Sequence, residues 1–159
     1  MPLASADEVH LRRAIELARL SRENGNHPFG SLLTDAAGNI VLEAENTVVT
    51  GQDVTGHAEL NLVRAATARF DGDTLRSHTL YTSTEPCAMC AGAIYWSGIE
   101  RVVFALSSAT FQGKIDPHGV AGLALSCREV FARGGREVEV SGPHLEDLAW
   151  DVHEGCWHA

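Results

Sequence analysis

The chain has 159 residues, 45% of them hydrophobic, and a formal net charge of −9. That is about one domain's length with enough apolar residues for a core, so a single domain over residues 1–159 is expected. No apolar run approaches the roughly 20 residues of a membrane span, and the opening MPLASADEVHLRRAIEL has no apolar signal core, so a cytoplasmic protein is expected. Lys114 is the only lysine and no Lys or Arg follows Arg136, which argues against the basic stripe of a nucleic-acid binder.

Ser5 or Asp7 suits the cap of a first helix, with Leu11, Ala14, Ile15 and Ala18 on one apolar face and Gly25 past its end. Phe29 to Thr34 and Ile40 to Val49 read as strands joined by a turn at Asp35 to Asn39. Gly56 leads into a helix, HAELNLVRAATARF, with Leu62, Ala65 and Ala66 inward. His78 to Ser83 is β-rich. Pro86 then opens a helix, CAMCAGAIYWSG, closed by Gly98. Glu100 to Leu106 is a strand, and SSATFQGKIDPHG a loop. A helix near Leu123 to Ala132, a strand at Glu137 to Val140 and a last helix from about Pro143 complete the chain. Alternating strands and helices predict a three-layer α/β/α domain on a sheet of about five strands.

Four cysteines, Cys87, Cys90, Cys127 and Cys156, are too few for a disulfide scaffold at this length. The C-x-x-C pair Cys87 and Cys90 allows a redox dithiol. It also allows half of a closed structural zinc site with Cys127 or Cys156, or part of an open catalytic site that keeps one position for water. His57-Ala58-Glu59 also opens a helix after a strand, and two such helix N-termini can meet at one end of a sheet. Their partial positive charge favours thiolates. Glu59, two residues after His57, does not share its helix face. It is placed less well as a ligand than as a carboxylate that takes and returns the protons of an activated water.

The order His57-Ala58-Glu59 then Pro86-Cys87-Ala88-Met89-Cys90 matches the H-x-E…P-C-x-x-C pattern of zinc nucleobase deaminases. With HPFGSLL (27–33), ENTVVTGQDVTGHAE (45–59) and LYTSTEPCAMCAGAIYWSG (80–98), nearly the whole chain resembles the cytidine-deaminase-like superfamily. Tyr95-Trp96 makes it most similar to the bacterial guanine deaminase and nucleoside deaminase branch. The resemblance implies that fold with a mixed central sheet, and one Zn²⁺ per subunit on His57, Cys87 and Cys90 with Glu59 as proton shuttle. It places Asn46 on the substrate ring, Phe29 and Trp96 around it, and the backbone of Ala58 and of Ser83 to Glu85 along the pocket. Trp157 and Trp150 either anchor the last helix or close over substrate. A small-molecule nucleobase or nucleoside as substrate and a homodimer are also implied.

One stretch departs from that branch. TFQGKID (110–116) carries Gln112 and Gly113 where the branch often has acids, so Asp116, Glu146 or Glu154 is the candidate second carboxylate. Four readings stand side by side: a guanine-like free base, a cytosine-type base or a nucleoside, the adenosine of a tRNA, and a zinc-stabilised module without catalysis. The intact Glu59 speaks against the last, and the acidic surface against tRNA.

Overall fold

The computed structural model describes residues 2–157. The first apolar face forms α1 (Ser5–Glu23). Leu11, Ala14, Ile15 and Ala18 are buried along it, at the spacing of one helix face. Neither Ser5 nor Asp7 caps it; the N-cap is Ala4, without a side-chain hydrogen bond. Asp7 is instead engaged across the fold. Arg101 donates to both of its carboxylate oxygens at 3.0 and 2.8 Å, and the Tyr81 hydroxyl donates at 2.7 Å.

β1 (Gly30–Thr34) and β2 (Ile40–Glu45) form an antiparallel hairpin. Asp35 Oδ1 holds its turn by accepting from the N–H groups of Ala37 and Asn39. The second strand ends at Glu45, short of the expected Val49, and Val48–Gly51 forms a helical turn, α2. The cause is side-chain competition for backbone donors. Asn46 Oδ1 accepts from Val48 N–H, and Asn26 Oδ1 from Val49 and Thr50 N–H.

α3 (Ala58–Arg69) buries Glu59, Leu62, Val63 and Ala66. Because Glu59 occupies the inward stripe, Ala65, expected inward, faces out. A short α4 (Gly72–Leu75) leads to β3 (Thr79–Thr84). α5 (Ala88–Ser97) follows and ends at Gly98, whose φ of 98° suits a glycine stop. β4 (Arg101–Leu106) comes next. The expected loop is largely helical: α6 (Ser108–Ile115) is capped by Ser107, and a 3-10 turn spans Asp116–His118. α7 (Cys127–Ala132) starts later than the sequence suggests, because Ser126 and Glu129 form a capping box there. β5 (Glu139–Ser141) and α8 (Glu146–Asp151) close the described chain.

The five strands run in the order β2-β1-β3-β4-β5, with β1 antiparallel to β2 and β3, and β3–β4–β5 parallel. On one face Leu11, Ala14 and Ile15 of α1 and Ala149 of α8 pack with Leu32, Tyr81 and Val103. On the other, Leu62, Ile94 and Phe131 of α3, α5 and α7 pack with Leu33, Leu80 and Phe104. This is the three-layer α/β/α arrangement with a mixed sheet. Gly30 permits the close seat of α1 on β1, since a Cβ there would lie 2.5 Å from Ala18 N and Leu17 Cβ. α3 and α5 share one sheet face, which brings their N-termini together.

Candidate metal centre and active site

His57 is the N-cap of α3 and Cys87 the N-cap of α5, with Cys90 one turn further along. The donor atoms of His57, Cys87 and Cys90 all lie within 4.8 Å of one another. His57 Nδ1 is 3.5 Å from each sulfur. A hydrogen bond from Cys90, and next His57, pulls the Cys87 thiol down to about 4. Cys90 is pushed up, first by its hydrogen bond to Cys87 and then by burial, and His57 is raised chiefly by Cys87. The protons shared among these groups are those that a divalent cation displaces. Two thiolates and one imidazole suit tetrahedral zinc with its fourth position open. Cys127 is not a fourth ligand: it is wholly buried with the core cluster beneath α7. Among the described residues only His57, Cys87 and Cys90 form such a group.

Glu59 projects from the first turn of α3 and is 5% exposed. Burial pushes its carboxyl up to about 7. The Thr82 hydroxyl donates to its Oε1 at 3.1 Å. Thr82 is a residue the sequence reading missed. Its signal was the alternation in Thr79–Thr84, where Leu80 and Thr82 share the face toward α3 and a hydroxyl interrupts an apolar row.

Glu59 and the metal triad open into a cavity of about 790 Å³, whose walls include Phe29, Asn46, Phe111, Gln112, Asp116 and Trp157. Asn46 Oδ1 is engaged by Val48 N–H, so its amide N–H₂ is the group left to face a ligand. The rings of Phe29, Phe111 and Trp157 meet one another at centroid distances of 5.4 to 6.0 Å. Glu85 also lines the cavity, but its carboxylate is engaged: Ser108 donates N–H and hydroxyl to one oxygen and Cys127 N–H to the other. It ties the first turns of α6 and α7 to the segment that carries Cys87.

Other expected residues lie elsewhere. Trp96 is 84% exposed on the outer face of α5 and is not on the cavity wall, because Cys90, Ala91, Ile94 and Ser97 take the inward face. Ala58 and Ser83 are buried away from the lining, and the Ser83 hydroxyl accepts from Gly30 N–H at 3.1 Å. Of the candidate second carboxylates, Asp116 reaches the cavity. Glu146 accepts from Ser107 N–H and hydroxyl, and Glu154 from Trp150 Nε1–H.

Residues 4–106 match the family model described as the cytidine and deoxycytidylate deaminase zinc-binding region. The chain belongs to this deaminase family. A probable cytosine deaminase of Schizosaccharomyces pombe is 41% identical to the deaminase over 162 residues, covering 98% of this chain and 94% of its own. A tRNA-specific adenosine deaminase of Haemophilus influenzae is 42% identical over 101 residues, 64% of this chain and 58% of its own length. A solved guanine deaminase from Nitrosomonas europaea superposes with TM-score 0.73 at 26% identity, covering 96% of this chain and 84% of that one. Zinc is the deaminase's cofactor by family, and His57, Cys87 and Cys90 are the residues that fit it. No helix among the described residues is long and apolar enough to cross a membrane.

Proposed function

We propose that this chain is a zinc-dependent aminohydrolase of a free amino-substituted nucleobase, with a guanine-like purine as the leading substrate and ammonia as product. One observation carries the reading: a buried carboxyl, Glu59, shares an aromatic-walled cavity with a His–Cys–Cys donor set. Held by His57, Cys87 and Cys90, zinc would supply a Lewis acid that lowers the pKa of a water to about 7. Glu59, buried beside the donor set, would take a proton from the attacking water, deliver it to the ring nitrogen beside the amine-bearing carbon, and carry the water's second proton to the departing amine. The Asn46 N–H₂ donates to an acceptor on the ring. Phe29, Phe111 and Trp157 stack around it and exclude bulk water.

The solved guanine deaminase, matching 96% of this chain in fold, supports the purine reading. Cytosine is the second reading, favoured by the 41% identity that runs through 98% of the chain to a probable cytosine deaminase. Gln112 in place of an acid on the cavity wall fits it too. A net charge of −9 supports a small molecule over tRNA. The functional unit in this reading is a homodimer, supported by the apolar outer face of α5. Ammonia release is measured with guanine, cytosine, adenine, guanosine, cytidine and a tRNA transcript. Turnover of guanine or cytosine is expected; turnover confined to nucleosides or to tRNA overturns the free-base assignment.

A further inference from the structure

His153 lies just after α8 and is 1% exposed. Trp157 donates its Nε1–H to His153 Nδ1 at 3.0 Å. With Nδ1 accepting, the ring proton sits on Nε2. That nitrogen is buried with no hydrogen-bond partner, although buried polar atoms are nearly always satisfied. The imidazole stacks on Trp150 at 5.5 Å and on Trp157 at 6.0 Å, and meets Phe29 and Phe111 at 5.2 Å each. His153 itself is absent from the cavity wall, whereas Trp157, Phe29 and Phe111 are on it. The histidine therefore stands behind three cavity walls and makes one directional bond, to the indole that closes the C-terminal side.

A phenylalanine would fill the same stack and leave no orphaned N–H. What it lacks is the acceptor for Trp157. We infer that His153 is a positioning residue: its Nδ1 fixes the Trp157 indole as a wall of the substrate cavity, and so sets the affinity for the ring without touching it. Burial holds the imidazole well below its usual range, at about 3, so Nδ1 stays an acceptor throughout the working pH range.

The inference rests on the free-base reading for its kinetic arm only. The test uses the zinc-loaded, ¹⁵N-labelled full chain, with the Trp157 indole N–H signal assigned by its loss in Trp157→Phe. In His153→Phe that signal shifts and its solvent exchange speeds up. KM for guanine or cytosine, whichever the parent turns over, rises about tenfold while kcat changes little. His153→Gln, which restores an oxygen acceptor, recovers both readouts at least in part. The double variant His153→Phe/Trp157→Phe is no worse than Trp157→Phe alone, as expected for residues acting as one unit. An unmoved indole signal in His153→Phe, or losses that multiply in the double variant, overturns the assignment. If the parent turns over neither base, the functional reading fails and the indole signal alone decides this one.

Discussion

Thr82 Oγ1 donates to Glu59 Oε1 across 3.1 Å, and Ser31 donates to the same Thr82 oxygen at 2.9 Å. With Ser31 donating to the threonine oxygen, the threonine's single proton goes to the glutamate at 3.1 Å in preference to the Gly30 carbonyl at 3.5 Å, which fixes one carboxylate oxygen. Thr82→Val should therefore lower kcat about tenfold, with KM and zinc content little changed. Glu59→Gln should keep its zinc and lose about a thousandfold or more in kcat. Steady-state kinetics with metal analysis on both variants checks this; substantial turnover in Glu59→Gln would sink the shuttle assignment.

The zinc donors were legible because their chemistry is tied to spacing: His57 and the Cys87–Cys90 pair each open a helix, and a parallel sheet face sets such helices side by side. The strands were legible from runs such as ERVVFAL. What the sequence hid was set by long-range competition. Asn46 and Asn26 end β2 early through side-chain acceptors, and the apolar pattern of Ile40 to Val49 carries no trace of that. Gly113 disguised α6, whose start depends on the Ser107 cap. Trp96 was placed around the substrate by the resemblance to the deaminase family. Its position on the helix, off the inward stripe of Cys90, Ala91, Ile94 and Ser97, decides otherwise.

Metal removal tests the donor set on stability as well as activity. The site joins the N-termini of α3 and α5, so a cation bound there stabilises the folded chain by linkage. Dialysis against a chelator should strip one zinc per chain, abolish ammonia release and lower Tm by about 5 °C or more. Added zinc should reverse all three. His57→Ala should fail to retain stoichiometric zinc, and retention would count against its role as ligand.

Asp7 ties α1 to β3 and β4. Hydrogen bonding from Arg101, and next from Tyr81, holds its carboxyl below the usual range against the opposing effect of burial. A depressed folded-state pKa stabilises the fold above the unfolded value of about 3.9, and that contribution is lost as pH falls through the folded value. Asp7→Asn should cost about 2 kcal/mol at pH 7, with the gap from the parent closing as pH drops below about 4. Urea unfolding of both proteins across pH 7 to pH 3 reads this; a gap independent of pH would mean that the carboxylate charge contributes nothing.

Trp96 is the last residue whose place needs a cause. α5 is apolar on nearly every side, and a helix of that kind is ordinarily covered all round. Its inward face meets the core and Met89 borders the cavity, but Trp96 is 84% exposed on the outward face. One turn before Trp96, Gly92 presents open space, with nothing within 4 Å of a Cβ placed there. An indole buries about 150–250 Å² when covered, and a second copy offers the same stripe to cover it, as a two-fold interface requires. The parent should run by size-exclusion chromatography with light scattering at twice the 17.1 kDa of one chain. Trp96→Asp should run at the single-chain mass with its zinc retained, since a charge there is desolvated only in the dimer. A parent that stays monomeric at micromolar concentration, or a Trp96→Asp variant that remains dimeric, would show that this face is not the contact.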